Sequence, residues 1–265
     1  VRHTAVVLAG RRPGIDPLAA AAGTTHKCLV PVGNQPMLVR VVEALAASDA
    51  IGTIAVSIDD AEAITRLAAI SRLAADGRLC ILPSDITPSR SALAAAAALG
   101  QPLPLMITTA DHALLTTAIA EQFIARAAAA SADVVAGLAE ARTVLAAFPE
   151  ARRTFYRFRD GRFTGCNLYA VNSTDGLKLL EFWGSVEQSR KTPWRVVRAF
   201  GLRPLLSYLF GRLSLDEATA QASRALGVRI RTVLLDSAEA AVDVDKPDDL
   251  RLADAIMRRR LSGAA

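Results

Sequence analysis

VVLAGRRPGIDPLAAAAGTTHKCLVP, residues Val6–Pro31, is the stretch whose reading decides the fold. It opens as an apolar strand, residues Thr4–Leu8, and breaks at Ala9-Gly10. Two arginines and a Pro13-Gly14 turn follow, and the loop reaches Lys27 before a second apolar step at Leu29–Val32. A strand that empties into a glycine-bearing loop exposes backbone N–H groups, and Arg11, Arg12 and Lys27 add fixed positive charge beside them. Leu8, Ala9, Gly10, Arg11, Arg12, Gly14 and Lys27 are therefore candidates for binding the phosphates of a nucleotide. The competing reading is a plain strand-to-helix turn with solvated arginines.

Outward from this loop, strand and helix patterns alternate. Met37–Ala47 carries Leu38, Val41, Val42 and Leu45 on one helical face, with Pro36 as a start signal. Thr53–Ile58 reads as a strand, Ala61–Ala75 as a helix, Leu79–Leu82 as a strand and Ser89–Leu99 as a helix ending at Gly100. Leu105–Thr109, Thr116–Ala130 and Val134–Leu138 continue as strand, helix, strand. The rhythm predicts an α/β fold, a Rossmann-like and mostly parallel sheet with helices on both faces. Ligands of such sheets lie beyond the carboxyl ends of the strands. Of the alanine runs, Ala94–Ala98 and Ala127–Ala130 read as helix, and Ala19–Ala22 does not. After Arg142 the pattern changes. Thr154–Phe158 and Cys166–Val171 form a β-hairpin around Asp160-Gly161, and helical elaboration follows. Ser214-Leu-Asp-Glu217 is a capping box. Val228–Leu235 and Ala241–Val244 read as strands, and Pro247 starts a final helix running to about Arg260. A single domain over 1–265 is expected. Residues 1–140 form the nucleotide-binding half, 141–240 the acceptor-side elaboration, and 241–265 the closing strand and helix.

Composition bounds the function. The 265 residues are 52% hydrophobic, with mean hydropathy +0.29, and supply ample core. No apolar run approaches the roughly 18–20 residues of a membrane span. The opening residues lack a signal-type apolar region. Three cysteines without CxxC spacing read as reduced thiols, so a cytoplasmic location is expected. A net charge of +5 favours anionic partners. With 5% aromatics and no long basic run, nucleic acid is not the expected one. Arg258–Arg260 reads as a solvated helix end.

Three further places carry chemistry. Asp111 closes the apolar run Leu105–Ala110, either as a carboxylate for a hard cation such as Mg²⁺ beside substrate phosphates, or as the cap of the next helix. The adjacent His112 reads as structural or solvated. Asp243 and Asp245 share one side of a period-2 stretch. Asp243 is a candidate second metal ligand, and the alternative is that both cap the final helix, as Asp248 and Asp249 do. Ser89, Arg90 and Ser91 could donate hydrogen bonds from a helix start after the loop Pro83–Pro88.

LAGRRPG with Lys27-Cys-Leu-Val-Pro-Val-Gly33, the Thr-Ala-Asp111 strand end, Gly165-Cys-Asn167 and Val-Asp243-Val-Asp-Lys-Pro-Asp-Asp-Leu250 together resemble the MobA-like NTP transferase family. The resemblance implies a glycosyltransferase-A type sheet that binds an NTP on the glycine loop. It implies transfer of the NMP group to an acceptor with Mg²⁺, or with Mn²⁺ in its place. It puts Ala9, Gly10, Arg11 and Lys27 at the triphosphate, Asp111 at the metal, and Asp243 at the second metal aspartate of related sugar-nucleotide enzymes. Lys27, Arg11 and Asp111 are then the catalytic set. Related enzymes use the region of Ser89–Ser91 for base and sugar. The partners implied are an NTP and a small-molecule acceptor, most readily a phosphate, whose anionic oxygen needs no dedicated general base. That suits a chain with three histidines and no evident triad.

On the acceptor side, Asn167 is a candidate lining residue, and Arg153 a candidate contact to an anionic acceptor. Arg152, Arg157 and Arg159 read as solvated edge charges. Residues 191–213 mix basic, aromatic and leucine side chains. They read as a lid or homodimer contact, with peripheral membrane contact as the alternative. Two other functions compete with this one. A glycosyltransferase of the same fold would want a DxD pair in mid-chain, where Asp111 stands alone, and Asp243-Val-Asp245 comes late in the sequence. A non-catalytic nucleotide-binding regulator need not keep Lys27, Asp111 and Asp243.

Overall fold

A computed structural model describes residues 2–11, 14–187, 208 and 211–263. Eight strands build one sheet. They are β1 (His3–Leu8), β4 (Ile51–Ile58), β5 (Leu79–Pro83), β6 (Leu105–Thr109), β7 (Val134–Glu140), β8 (Tyr156–Phe158), β9 (Gly161–Val171) and β10 (Ile230–Leu234). The order is β10-β7-β9-β6-β1-β4-β5, with β8 paired to β9. β1 pairs in parallel with β4 and β6, and β4 with β5. β9 runs antiparallel between β6 and β7, so the expected hairpin is more than an edge feature. Its second strand is a full-length member of the central sheet. A two-stranded ribbon, β2 (Pro31–Val32) with β3 (Gln35–Pro36), lies apart.

The helices follow from the same pattern. α1 (Pro17–Ala21) takes in the first alanine run, which the sequence reading left outside helix. Asp16 caps it by accepting from the amides of Leu18 and Ala19, and Pro17 supplies a ready φ at its first position. α2 (Met37–Ala46) buries Leu38, Val41, Val42 and Leu45 as its periodicity requires. The expected helix over Ala61–Ala75 is two, α3 (Glu62–Thr65) and α4 (Ala68–Ala75), because Leu67 is extended. α5 (Pro88–Ala98), α6 (Thr117–Ala129), α7 (Ala141–Ala147) and α8 (Thr174–Glu187) follow. The capping box at Ser214 opens α9 (Leu215–Leu226), which ends at Gly227 with φ 67°. The strand expected over Ala241–Val244 does not form: Ala238–Ala241 make a 3-10 turn and residues 242–245 carry no regular element, and α10 (Pro247–Leu261) closes the chain.

The larger core lies between the sheet and α2, α4, α6 and α10, with Phe123, Leu38, Leu45, Ile54 and Met106 fully enclosed. A smaller core joins α5 and α8 to the other face through Val6, Ala92, Ala95, Ile107 and Leu177. Both faces of the sheet are therefore covered. Among the described residues no helix is long and apolar enough to cross a membrane, and all three cysteines are free. Arg12 and most of 191–213 lie outside the described residues.

Candidate functional site

The carboxyl ends of β1, β4 and β6 open into a cavity of about 690 Å³, within the ~300–1,000 Å³ usual for small-molecule sites. Leu8, Ala9, Gly10, Arg11 and Gly14 line one wall, with Lys27 at its base. Asp85, Thr87 and Ser91 contribute from the start of α5, and Asp111 and Asp245 form the far wall. The glycine at position 10 answers a close approach. A Cβ there would stand 2.7 Å from Ser84 Oγ and 2.8 Å from Ser84 Cβ. Arg11 is tied to the end of β4, where its amide donates to Asp59 Oδ1 at 3.0 Å and its Nε to Asp59 Oδ2 at 2.7 Å. Burial alone would raise the Asp59 carboxyl, but the Arg11 contacts outweigh it and hold it below its usual range.

Lys27 organises the far wall. Its Nζ donates to Asp111 Oδ2 at 2.7 Å and also to Asp245 Oδ1. Burial would lower the ammonium, but the two carboxylates raise it instead. At Asp111 burial wins over Lys27, and the carboxyl is pushed up. Asp111 Oδ1 is buried with no hydrogen-bond partner. The backbone explains why residues 134 positions apart in sequence share this wall. The Val244 amide donates to the Asp111 carbonyl at 3.0 Å, which lays residues 242–246 across the end of β6. Asp111 is not a helix cap, since α6 is capped by Thr116. Nor do Asp243 and Asp245 cap α10, where Asp249 Oδ2 accepts from the amides of Asp245 and Lys246. The late position of Asp243-Val-Asp245 in sequence is no bar to its lying at the strand ends.

Asp243 takes a different partner set from Asp245. It pairs with Arg153 Nη1 through Oδ1 and accepts from Asn167 Nδ2 at 2.8 Å through Oδ2. Burial would raise its carboxyl, but Arg153 outweighs that and lowers it. Asn167 has φ 50°, a left-handed conformation in a region where the β7–β9 register shifts, and this turns its amide off the regular ladder. Arg153, Asn167 and Asp243 thus form one unit, and none of them lines the cavity. The cavity lining also omits Ser89 and Arg90. Ser89 is buried, and Arg90 pairs with Asp85 at 3.1 Å. Ser91 does reach the cavity, where its Oγ accepts from the Asp85 amide at 2.8 Å. His112 is buried and held neutral, its imidazole pushed down to about 4 by burial.

The fit to a hard cation is read from these donors. Asp111 offers an unpartnered carboxylate oxygen, and Asp245 offers an oxygen now satisfied by Lys27. Both oxygens of Asp243 are already engaged. Among the described residues no group of three or more His, Cys, Asp or Glu is gathered for a metal, so a cation here would complete its shell with substrate oxygens. Sequence reasoning passed over Asp59 and Asp245 as site residues. Asp245 carried a signal, being two positions from Asp243 beside Asp111's strand end. Asp59 carried only its place at a strand's carboxyl end.

The family model of the MobA-like NTP transferase domain matches residues 5–172. Among solved structures, a hypothetical transferase from Thermus thermophilus is 30% identical with TM-score 0.77, and the match covers 94% of this chain and 100% of that one. The 4-diphosphocytidyl-2C-methyl-D-erythritol synthase of Anaerococcus prevotii is 11% identical with TM-score 0.62, covering 97% and 96%. A CMP:2-keto-3-deoxy-manno-octonic acid synthetase complexed with CTP is 13% identical with TM-score 0.58, covering 97% and 99%. These last two likenesses are of fold. No curated protein matches the sequence.

Proposed function

We propose that this chain, which belongs to the MobA-like NTP transferase family and is a nucleotidyltransferase, moves the NMP group of an NTP onto a small, phosphorylated acceptor and releases pyrophosphate. The observation that carries this reading is Lys27, held at the base of the glycine-loop cavity between the carboxylates of Asp111 and Asp245. A cation beside exposed loop amides suits a triphosphate, and paired carboxylates beside it suit the divalent ion that accompanies one.

In this reading the amides and Arg11 of the glycine loop hold the β- and γ-phosphates. Lys27 exchanges a carboxylate for the bridging and terminal oxygens of the departing pyrophosphate, where negative charge grows during the transfer. Asp111 and Asp245 would hold Mg²⁺, which would supply neutralisation of the triphosphate's charge. An acceptor phosphate oxygen attacks the α-phosphorus in line. The P–O bond to pyrophosphate breaks as the new P–O bond forms, and no proton has to be removed first. Asn167, Arg153 and Asp243 stand on the β9 side, where the acceptor would enter. Arg153 can neutralise an anionic acceptor only by sharing or leaving Asp243.

The test is a thermal-shift panel of ATP, GTP, CTP and UTP, with and without Mg²⁺, on wild type and Asp111→Asn. A nucleotide near 100 times its Kd adds about 2.7 kcal/mol of apparent stability. One nucleotide standing out, with a shift that needs both Mg²⁺ and Asp111, is the expected result. A panel flat for all four NTPs but positive for a nucleotide-sugar would replace this reading with glycosyl transfer.

A further inference from the structure

Asp59 stands outside every motif that pointed to the site, yet it bonds the start of the glycine loop and lies beside its end. At the loop's start it accepts from the Arg11 amide at 3.0 Å and from Arg11 Nε at 2.7 Å. At the loop's end, His26 Nε2 lies 3.5 Å from Asp59 Oδ1. His26 is itself buried and fixed on its other side, where Nδ1 stands 2.9 Å from Thr25 Oγ1. Lys27 is the next residue. One carboxylate at the tip of β4 therefore fixes the start of the loop through Arg11 and stands beside its end at His26, whose Nε2 makes no hydrogen bond.

The pairing leaves Arg11 half engaged. Its Nε is anchored, and its terminal nitrogens make no hydrogen bond or ion pair with any described residue, while the side chain lines the cavity. A guanidinium held at Nε with its terminal nitrogens open presents a planar fork suited to two oxygens of one phosphate. We propose that Asp59 is a positioning residue for the triphosphate: it clips the start of the loop and orients the Arg11 fork toward the phosphates. The proposal rests on the reading of this cavity as an NTP site.

Charge makes the proposal sharp. Asp59 is an anion near the place assigned to a polyanion, so electrostatics alone says that removing its charge should tighten NTP binding. Positioning says the reverse. Asp59 is about one-third exposed, so substitution does not open a core.

The experiment measures Kd for each Mg-NTP by calorimetry, together with KM and kcat for pyrophosphate release. The variants are Asp59→Asn, Arg11→Lys, Arg11→Ala and the double variant Asp59→Asn/Arg11→Ala. Asp59→Asn is expected to raise Kd and KM about tenfold while kcat changes less than threefold. Arg11→Lys, which keeps the charge but has no Nε to anchor, should likewise raise Kd and KM about tenfold. The double variant should bind no worse than Arg11→Ala alone, because Asp59 acts through Arg11. Unchanged or tighter binding in Asp59→Asn, wild-type affinity in Arg11→Lys, or full additivity in the double variant would each overturn the clip. Absence of NTP binding by the wild-type protein would overturn the nucleotide site itself, a result distinct from these.

Discussion

Lys27 Nζ meets Asp111 Oδ2 at 2.7 Å although 84 positions separate the two residues. One lies at the end of the glycine loop, the other at the end of β6, so the contact joins the glycine-loop wall of the cavity to the carboxylate wall. Truncating Lys27 to alanine removes the cation that would neutralise the departing pyrophosphate. A loss of about 100-fold in kcat/KM for pyrophosphate release is expected, in the range for deleting one positioned charge or donor at a developing anion. The steady-state assay on Lys27→Ala checks it. A loss under threefold would remove Lys27 from the chemistry.

Asp243 and Asp245 differ by two positions and by what they hold, and their variants should separate accordingly. Asp243 is enclosed with Arg153, each less than one-fifth exposed. Asp243→Ala leaves that guanidinium without its partner and should cost about 3 kcal/mol of stability in urea unfolding. Asp245 is half exposed, and among the described residues its carboxylate pairs with Lys27. Asp245→Asn should leave the unfolding midpoint within about 0.5 kcal/mol of wild type. It should weaken the Mg²⁺-dependence of NTP binding at least tenfold. Equal stability losses in the two variants would show that both acids are structural.

Gly10 sits against Ser84 without left-handed strain, so its need for glycine is one of contact alone. Gly10→Ala should lower the thermal midpoint by several degrees and raise KM for NTP, because the loop must move off Ser84. Removing the obstacle in Gly10→Ala/Ser84→Gly should recover most of both losses. If the second substitution recovers neither, the glycine is required for the approach of ligand and not for packing.

Asp133 joins α9's exit to β7. Its carboxylate accepts from Arg229 Nη2 at 2.8 Å, from the Arg229 amide at 2.9 Å and from Ser173 Oγ at 2.8 Å. Arg229 is the chief cause of a folded-state acidity well below the ordinary carboxylate range. Since the folded pKa is depressed, the stabilisation is complete above the unfolded value of about 3.9 and fades as pH falls below it. Urea midpoints should therefore hold steady from pH 7 to about pH 5 and drop toward pH 3. In Asp133→Asn the drop should be shallower. A wild-type profile flat to pH 3 would contradict the pairing.

The layout of the sheet was legible because its strands are short apolar runs separated by helix periods. The loop at Gly10, Asp111 at a strand end and the box at Ser214 all sat where local chemistry put them. What sequence reading missed needed three dimensions. The hairpin's second strand reaches into the middle of the sheet because β9 finds partners on both sides, β6 and β7, far away in sequence. The break at Leu67 carries no glycine or proline to announce it. The expected strand Ala241–Val244 is preceded by a 3-10 turn that Ser237 caps and that buries three alanines, a packing no local pattern announces. Asp245 looked like a helix cap because the acid-rich start of α10 hides which carboxylate caps. The geometry assigns that task to Asp249 and leaves Asp245 for Lys27.

Phe123 offers a control that separates fold from site. It is fully buried on α6, and its ring lies over Gly137 of β7, where an added Cβ would come within 3.2 Å of Phe123 Cδ2. The glycine and the ring are complementary in shape, so both ways of spoiling the fit should cost stability. Phe123→Ala opens a cavity that the flat sheet cannot fill, and a loss of about 3–5 kcal/mol is expected. Gly137→Ala overpacks the same contact and should cost about 1–3 kcal/mol. Neither residue lines the glycine-loop cavity. Below the unfolding transition, both variants should therefore bind NTP with wild-type affinity. Denaturant unfolding read beside nucleotide titration checks the pair. A tenfold loss of affinity in Gly137→Ala while the protein stays folded would mean that strain at β7 reaches the carboxyl edge, and that the sheet couples its core to its site.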